Sequence, residues 1–268
     1  MPLVFQVRYG TGLVGLLWVV MSPGWILAED LVPLLSATCR ISQRETSGTA
    51  FFVQRPPRDG QPTAGVALVT AAHVFEQMRE PQCQLVLRQR LESGVYERRE
   101  IQVPIEEHGK RLWLRHPQFD CAALPVTLPE NVTMHVFAWE QLLDDEGPLV
   151  EQLTVGRPMS VACFPAKSEA NAVGWPILRQ GIVATYPLRP VQQAPTLYLD
   201  ISGFGGDSGA AVAMSTPEGL RIAGLVSGMI RQTDKVVSPF EERVMHTPLG
   251  LSIVIQSPWI RRTMEQLP

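Results

Sequence analysis

The chain has 268 residues, of which 45% are hydrophobic and 18% charged, and its net charge is −3. That is a globular composition with ample apolar material for one large or two small domains, and it excludes a disordered chain. There is no strong basic excess: the arginines from Arg88 to Arg99 are diluted by Glu92, Glu97 and Glu100, so no nucleic-acid partner is expected.

In chain order, the first feature is a leader. Arg8 precedes a short apolar run at 13–21, which Ser22-Pro23-Gly24 interrupts, and Ala28 supplies a small residue before the acidic Glu29 and Asp30. Residues 1–28 read as a secretory signal whose apolar core is too short for an ordinary spanning helix. The mature chain is expected to be secreted or periplasmic, with no stable membrane span after cleavage. Ile26 is bulkier than the usual cleavage pattern prefers, and an uncleaved anchor is the alternative. Export permits disulfides among Cys39, Cys83, Cys121 and Cys163. The sequence does not choose among their pairings, and buried free thiols are the other reading. No Cys/His spacing suggests a metal, and no cofactor is expected.

Long helical patterns are scarce, while proline and glycine are spread throughout, which favours short strands joined by turns. Strand patterns lie at 50–53, 65–70, 84–87, 96–103, 111–114 and 121–126. Residues 55–62 are a loop, and the polar stretch 142–151 suits a link between two halves. Further strands are expected at 158–164, 181–186, 196–201, 209–214, 220–230 and 250–255, followed by a terminal helix over 258–267 with Pro258 in its first turn.

Chemistry concentrates in three segments. In Thr70-Ala71-Ala72-His73, small residues after an apolar strand leave room for an imidazole to stand clear. Asp120 opens the apolar run Cys121-Ala122-Ala123-Leu124; a carboxylate there needs donors, and the ring N–H of His73 is one. Gly206-Asp207-Ser208-Gly209 places a serine in a glycine-rich turn, where backbone N–H groups can converge on one point. Each segment alone has an ordinary structural explanation. Together they supply a nucleophile, a base and an orienting acid.

TAAH, the strand-start Asp120 and GDSG in this order resemble the signatures of the trypsin-like (chymotrypsin-fold) serine peptidases. The likeness covers residues 39–267 and is closest to bacterial members without a PDZ domain. It implies an all-β fold of two packed antiparallel six-stranded β-barrels with a C-terminal helix. Residues 29–150 would form the barrel carrying His73 and Asp120, and residues 151–268 the one carrying Ser208. By matching position it implies His73 as general base, Asp120 as its orienter and Ser208 as nucleophile. The amides of Gly206 and Ser208 would form the oxyanion hole. Ser202 would sit at the base of the primary specificity pocket, with Ser227, Gly228 and Met229 along the substrate strand and pocket wall. Protein or peptide substrates follow, with small or medium uncharged residues at the cleavage point. A catalytically idle binding or regulatory protein on the same fold is the alternative. No activation-cleavage site is recognisable, so Asp207 lacks the new N-terminus that pairs with it in animal zymogens.

Overall fold

The computed structural model describes residues 31–56, 65–237 and 241–268. The expected signal segment at 1–28, and most of the loop expected at 55–62, lie outside the described residues.

A short helix, α1 (Val32–Ala37), leads into β1 (Thr38–Gln43), β2 (Thr46–Gln54) and β3 (Val66–Thr70). A second short helix, α2 (Ala72–Glu76), follows. Then come β4 (Gln82–Arg90), β5 (Tyr96–Pro104), the two-residue strands β6 (Glu106–Glu107), β7 (Lys110–Arg111) and β8 (Leu114–Arg115), and β9 (Ala122–Val126). They build a seven-stranded sheet in the order β5-β4-β1-β2-β3-β9-β8, with β6 and β7 as a separate ribbon. β2 shows why its segment is a strand: from Thr49 to Val53 it is buried without a break, the pattern of a strand covered on both faces.

After helix α3 (Pro148–Glu151), the second half contains β10 (Pro158–Cys163), β11 (Ile177–Val183), β12 (Thr196–Asp200), β13 (Ala211–Thr216), β14 (Gly219–Val237) and β15 (Glu242–Gln256). These close into a six-stranded barrel in the order β10-β11-β12-β15-β14-β13. The chain ends in helix α4 (Ser257–Glu265). The protein is therefore all-β with one closed six-stranded barrel and a C-terminal helix, as expected, while a second sheet stands where another six-stranded barrel was expected. Three details differ. The first sheet has seven strands, because β1, a short TCRISQ segment with only Cys39 and Ile41 apolar, joins it. The segment 111–114 bends at its centre, and β14 and β15 run far beyond their expected ends.

Two apolar cores result. One fills the barrel around Met159, Val161, Leu197, Leu199, Val212 and Val254. The other unites the first sheet with α4 through Trp259, Ile260 and Met264. Trp259 packs on Phe119 at 4.3 Å between ring centroids and on His116 at 5.4 Å. The last helix thereby buttresses the loop that carries Asp120. Cys39, Cys83, Cys121 and Cys163 are all buried free thiols. Burial pushes the Cys83 and Cys121 thiols up to about 12, and those of Cys39 and Cys163 higher still, so none is a ready nucleophile.

Candidate active site

Strand pairing brings His73 and Asp120 together. β3 and β9 run antiparallel with Thr70 opposite Ala122, so the residue just beyond β3 and the one just before β9 leave the sheet at the same end. Ala71 and Ala72 are fully buried, which seats α2 tightly against the sheet and turns His73 outward. The Asp120 carboxylate bridges both ends of His73. Its Oδ2 accepts from the ring Nδ1 at 2.7 Å and its Oδ1 from the backbone N–H at 2.9 Å. A third donor arrives from the barrel: the Ser227 hydroxyl on β14 donates to Oδ2 at 2.6 Å. Burial alone would push the Asp120 carboxyl up. The hydrogen bonds from His73 and Ser227 outweigh it and hold the carboxyl below its ordinary value. The acid stays ionised, and its grip on Nδ1 leaves the other ring nitrogen, Nε2, free to accept a proton.

The Ser208 turn is clamped from the opposite sheet. Thr49 N–H donates to the Ser208 carbonyl at 2.9 Å, and the Thr49 hydroxyl donates to the Gly206 carbonyl at 2.7 Å. Thr70 in turn donates to the Thr49 carbonyl at 2.7 Å. Two glycines are obligatory here. Gly206 has φ +99°, and a Cβ on it would lie 2.3 Å from the Phe164 carbonyl oxygen. Gly209 has φ +89°, and its Cβ would meet the Thr49 carbonyl oxygen at 2.1 Å. Among the described residues, neither the Gly206 N–H nor the Ser208 N–H has a protein acceptor. Such free amides in a buried turn suit an anionic oxygen.

Asp207 is almost completely buried, with 3% of its side chain exposed. Its Oδ2 pairs with Arg179 Nη1 on β11 at 2.8 Å and also accepts the Phe204 N–H at 2.9 Å. Arg179 continues to the Ser202 carbonyl and lies over the Phe204 ring, 5.3 Å from its centroid. Burial pushes the Asp207 carboxyl above its ordinary value; the Phe204 amide, Cys163 and Arg179 offset only part of that. Asp207 thus has an internal arginine as its charge partner.

His73 and Ser208 face one open cleft of roughly 400 Å³, lined also by residues 203–207 and 226–229 and by Ser47, Gln77 and Arg231. Gly206, Ser227, Gly228 and Met229, singled out in the sequence, are all part of this lining. Ser202 is not: it is exposed, and its carbonyl faces Arg179. A Cβ on Gly203 would sit 2.8 Å from the Met229 Cβ, so Met229 packs against Gly203, and it is this pair, not Ser202, that lines the cleft. Among the described residues, no hydrogen bond joins Ser208 to His73. Sequence reasoning missed Arg179, Thr49 and Thr70. A lone arginine inside the apolar strand ILRQGIV was the available signal for a buried acidic partner.

An all-β body with a closed barrel, a second sheet, a C-terminal helix and this cleft has the fold of the trypsin-like serine proteases. One solved structure it resembles is an inactive form of the serine-to-alanine mutant of Rv3671c from M. tuberculosis H37Rv. The TM-score is 0.52 and the identity 12%, over 92% of this chain and 93% of that one. No protein-family model and no curated protein sequence matches the chain.

Proposed function

We propose that this protein is a serine endopeptidase that hydrolyses peptide bonds of protein substrates. The observation that carries this reading is the Ser227–Asp120–His73 hydrogen-bond chain, which opens onto the same cleft as Ser208. In this reading Ser208 Oγ attacks the scissile carbonyl carbon while His73 Nε2 takes the hydroxyl proton. The Asp120 carboxylate stabilises the imidazolium that forms. The Gly206 and Ser208 amides receive the oxyanion; one such donor is typically worth about 2.7–4 kcal/mol in the transition state. Collapse expels the amine, which takes the proton from His73 and leaves an ester on Ser208. Water then attacks that ester, again with His73 as base, and frees the acid and the serine. Met229 over Gly203 favours small or medium uncharged residues at the cleavage point. A secreted or periplasmic location belongs to the same proposal and rests on residues 1–28.

The rival is an idle protein that keeps the fold for binding or regulation, and the unmade Ser208–His73 hydrogen bond favours it. Catalytic hydrogen bonds are often loose before substrate arrives and tighten in the complex. Fluorophosphonate labelling and peptide-library cleavage, each run beside Ser208→Ala, separate the two readings. Adduct and cleavage in the native chain, and neither in the variant, are expected. No adduct and equal cleavage in both would leave the idle protein.

A further inference from the structure

Residues 164–176, between β10 and β11, form a strap that leaves the barrel, reaches the first sheet and returns. Its near end touches the turn that carries Ser208. The Ala166 N–H donates to the Gly205 carbonyl at 2.6 Å, and the Phe164 carbonyl oxygen crowds Gly206. Its far end is fastened to the first sheet. Arg98 on β5 donates to both Glu169 oxygens, Nη1 to Oε2 at 2.6 Å and Nη2 to Oε1 at 3.2 Å. Arg40 on β1 adds an ion pair to Oε1 at 3.0 Å. The Glu169 side chain is 16% exposed, and those of Arg40 and Arg98 are 20% and 26% exposed. A forked arginine on a largely covered carboxylate holds better than an exposed surface pair. Beyond Glu169, the buried Arg88 donates to the Gly174 carbonyl at 3.0 Å and lies over the Trp175 ring, 4.7 Å from its centroid. Between the two ends, Ala166 and Lys167 have φ +49° and +65°. Side chains other than glycine rarely stay in that left-handed region unless their surroundings hold them there.

What the strap holds is one peptide plane. The Gly205–Gly206 bond is trans, and neither residue has a side chain to resist rotation of the plane. In a trans peptide the carbonyl and the following N–H point in opposite directions. With the Gly205 carbonyl bound to Ala166, the Gly206 N–H faces away from the strap, and Gly206 lines the cleft. If the plane turned over, that N–H would leave the cleft and a carbonyl oxygen would face the developing oxyanion. We propose that Glu169 is a positioning residue for the reaction at Ser208: fastened by Arg98 and Arg40, it holds left-handed Ala166 against the Gly205 carbonyl and so keeps the Gly206 amide turned toward the oxyanion. This inference rests on the serine-peptidase reading. Glu169 lies outside the cleft lining and acts only through the strap. Thr49 holds the rest of the turn through the Gly206 and Ser208 carbonyls, so release of Glu169 frees one peptide and leaves the nucleophile in place.

The test is Glu169→Gln, which keeps the side-chain shape and removes the charge, assayed on a fluorogenic peptide that the native chain cleaves. Its kcat is expected to fall about ten- to a hundredfold with KM within about twofold, inside the about 10²–10³ that outright loss of one oxyanion donor costs. Fluorophosphonate labelling should slow by the same factor yet still reach completion, because the phosphonyl oxygen uses the same amides. Adding Ala166→Gly should return much of the activity, since glycine takes the left-handed backbone without the fastening. Arg98→Met should lower kcat in the same way and add little on top of Glu169→Gln, as members of one network do. A rise in KM alone would overturn the inference, and so would a lower melting temperature with kcat per labelled site unchanged. Failure of Ala166→Gly to return activity would overturn it as well. Should Glu169→Gln not fold, Arg40→Met, which frees one partner only, carries the test. It should lower kcat about two- to fivefold, the scale of one partly exposed ion pair, and native kcat in it would overturn the inference. Failure of the peptidase reading looks different: the native chain itself takes no adduct and turns over no peptide, which leaves no reaction for the strap to serve.

Discussion

Replacing Arg179 with methionine isolates the ion pair behind the nucleophile. Arg179 is 18% exposed and Asp207 3%, and the pair spans 2.8 Å. Methionine keeps most of the side-chain volume but leaves the carboxylate buried with only the Phe204 amide as a strong donor. Breaking a buried pair from one side typically costs about 3–5 kcal/mol, and partial exposure of the arginine places this one near about 3. That is more than about a hundredfold in the population of the ordered turn. The pH dependence has a definite sign. Burial already raises the Asp207 carboxyl, and loss of Arg179 raises it further, while the unfolded chain keeps the ordinary value. The penalty is therefore full above the folded value and shrinks as pH falls through it, because the native state takes up the proton first. Urea unfolding followed by tryptophan fluorescence measures the stability, and the rate of fluorophosphonate labelling at Ser208 measures the turn. Arg179→Met should lose at pH 8 and recover part of the loss near pH 5. Adding Asp207→Asn should restore much of it, because no charge is left unpaired. Native stability and labelling at pH 8, or the same loss at both pH values, would refute the assignment.

Gly209→Ala should fail to fold, since the added carbon meets backbone oxygen at 2.1 Å in a left-handed conformation; soluble yield and thermal melting report this, and a native-like melt would contradict the clamp. Met229→Ala should widen the cleft beside Gly203 and raise kcat/KM for bulky residues at the cleavage point by about tenfold, the scale of about 1–3 kcal/mol for a few methylenes in a pocket. A peptide library shows the change, and an unaltered profile would remove Met229 as a gate. His116 gives an acid sensitivity. Its Nδ1 accepts the Gln118 and Phe119 amides at 3.2 and 3.1 Å, and burial, with Arg262 and Arg115 nearby, lowers its pKa from the ordinary 6.5. The unfolded chain binds that proton first, so stability should fall as pH drops from about 6.5 through the folded value. His116→Phe should be less stable at pH 8 and show a shallower slope below 7 in melting curves; an unchanged slope would exclude His116.

Local order and local chemistry explain how much was legible in the chain alone. VALVT and the AFFV stretch of β2 each hold four consecutive apolar residues, so their strand character survives tertiary context. TAAH and GDSG are contiguous, and their small residues and glycines state the backbone requirement on the spot; Gly206 and Gly209 do take positive φ. β1 was less visible because Cys39 and Ile41 are its only apolar residues, too few to mark a strand without its pairing to β2 and β4. The arm past Arg231 escaped notice for a related reason: with both faces in water, nothing imposes a hydrophobic period on it.

Sequence by itself determined which groups exist and in what order they come: a histidine after small residues, an aspartate before an apolar strand, a serine between glycines. Those are properties of neighbours a few bonds apart. Only the tertiary structure decided that the Ser227 hydroxyl donates to Asp120 Oδ2, that Arg179 pairs with Asp207 and that Met229 packs against Gly203. Each of those contacts joins residues from separate strands, and its strength depends on burial and distance, which no stretch of chain encodes until the sheets have closed.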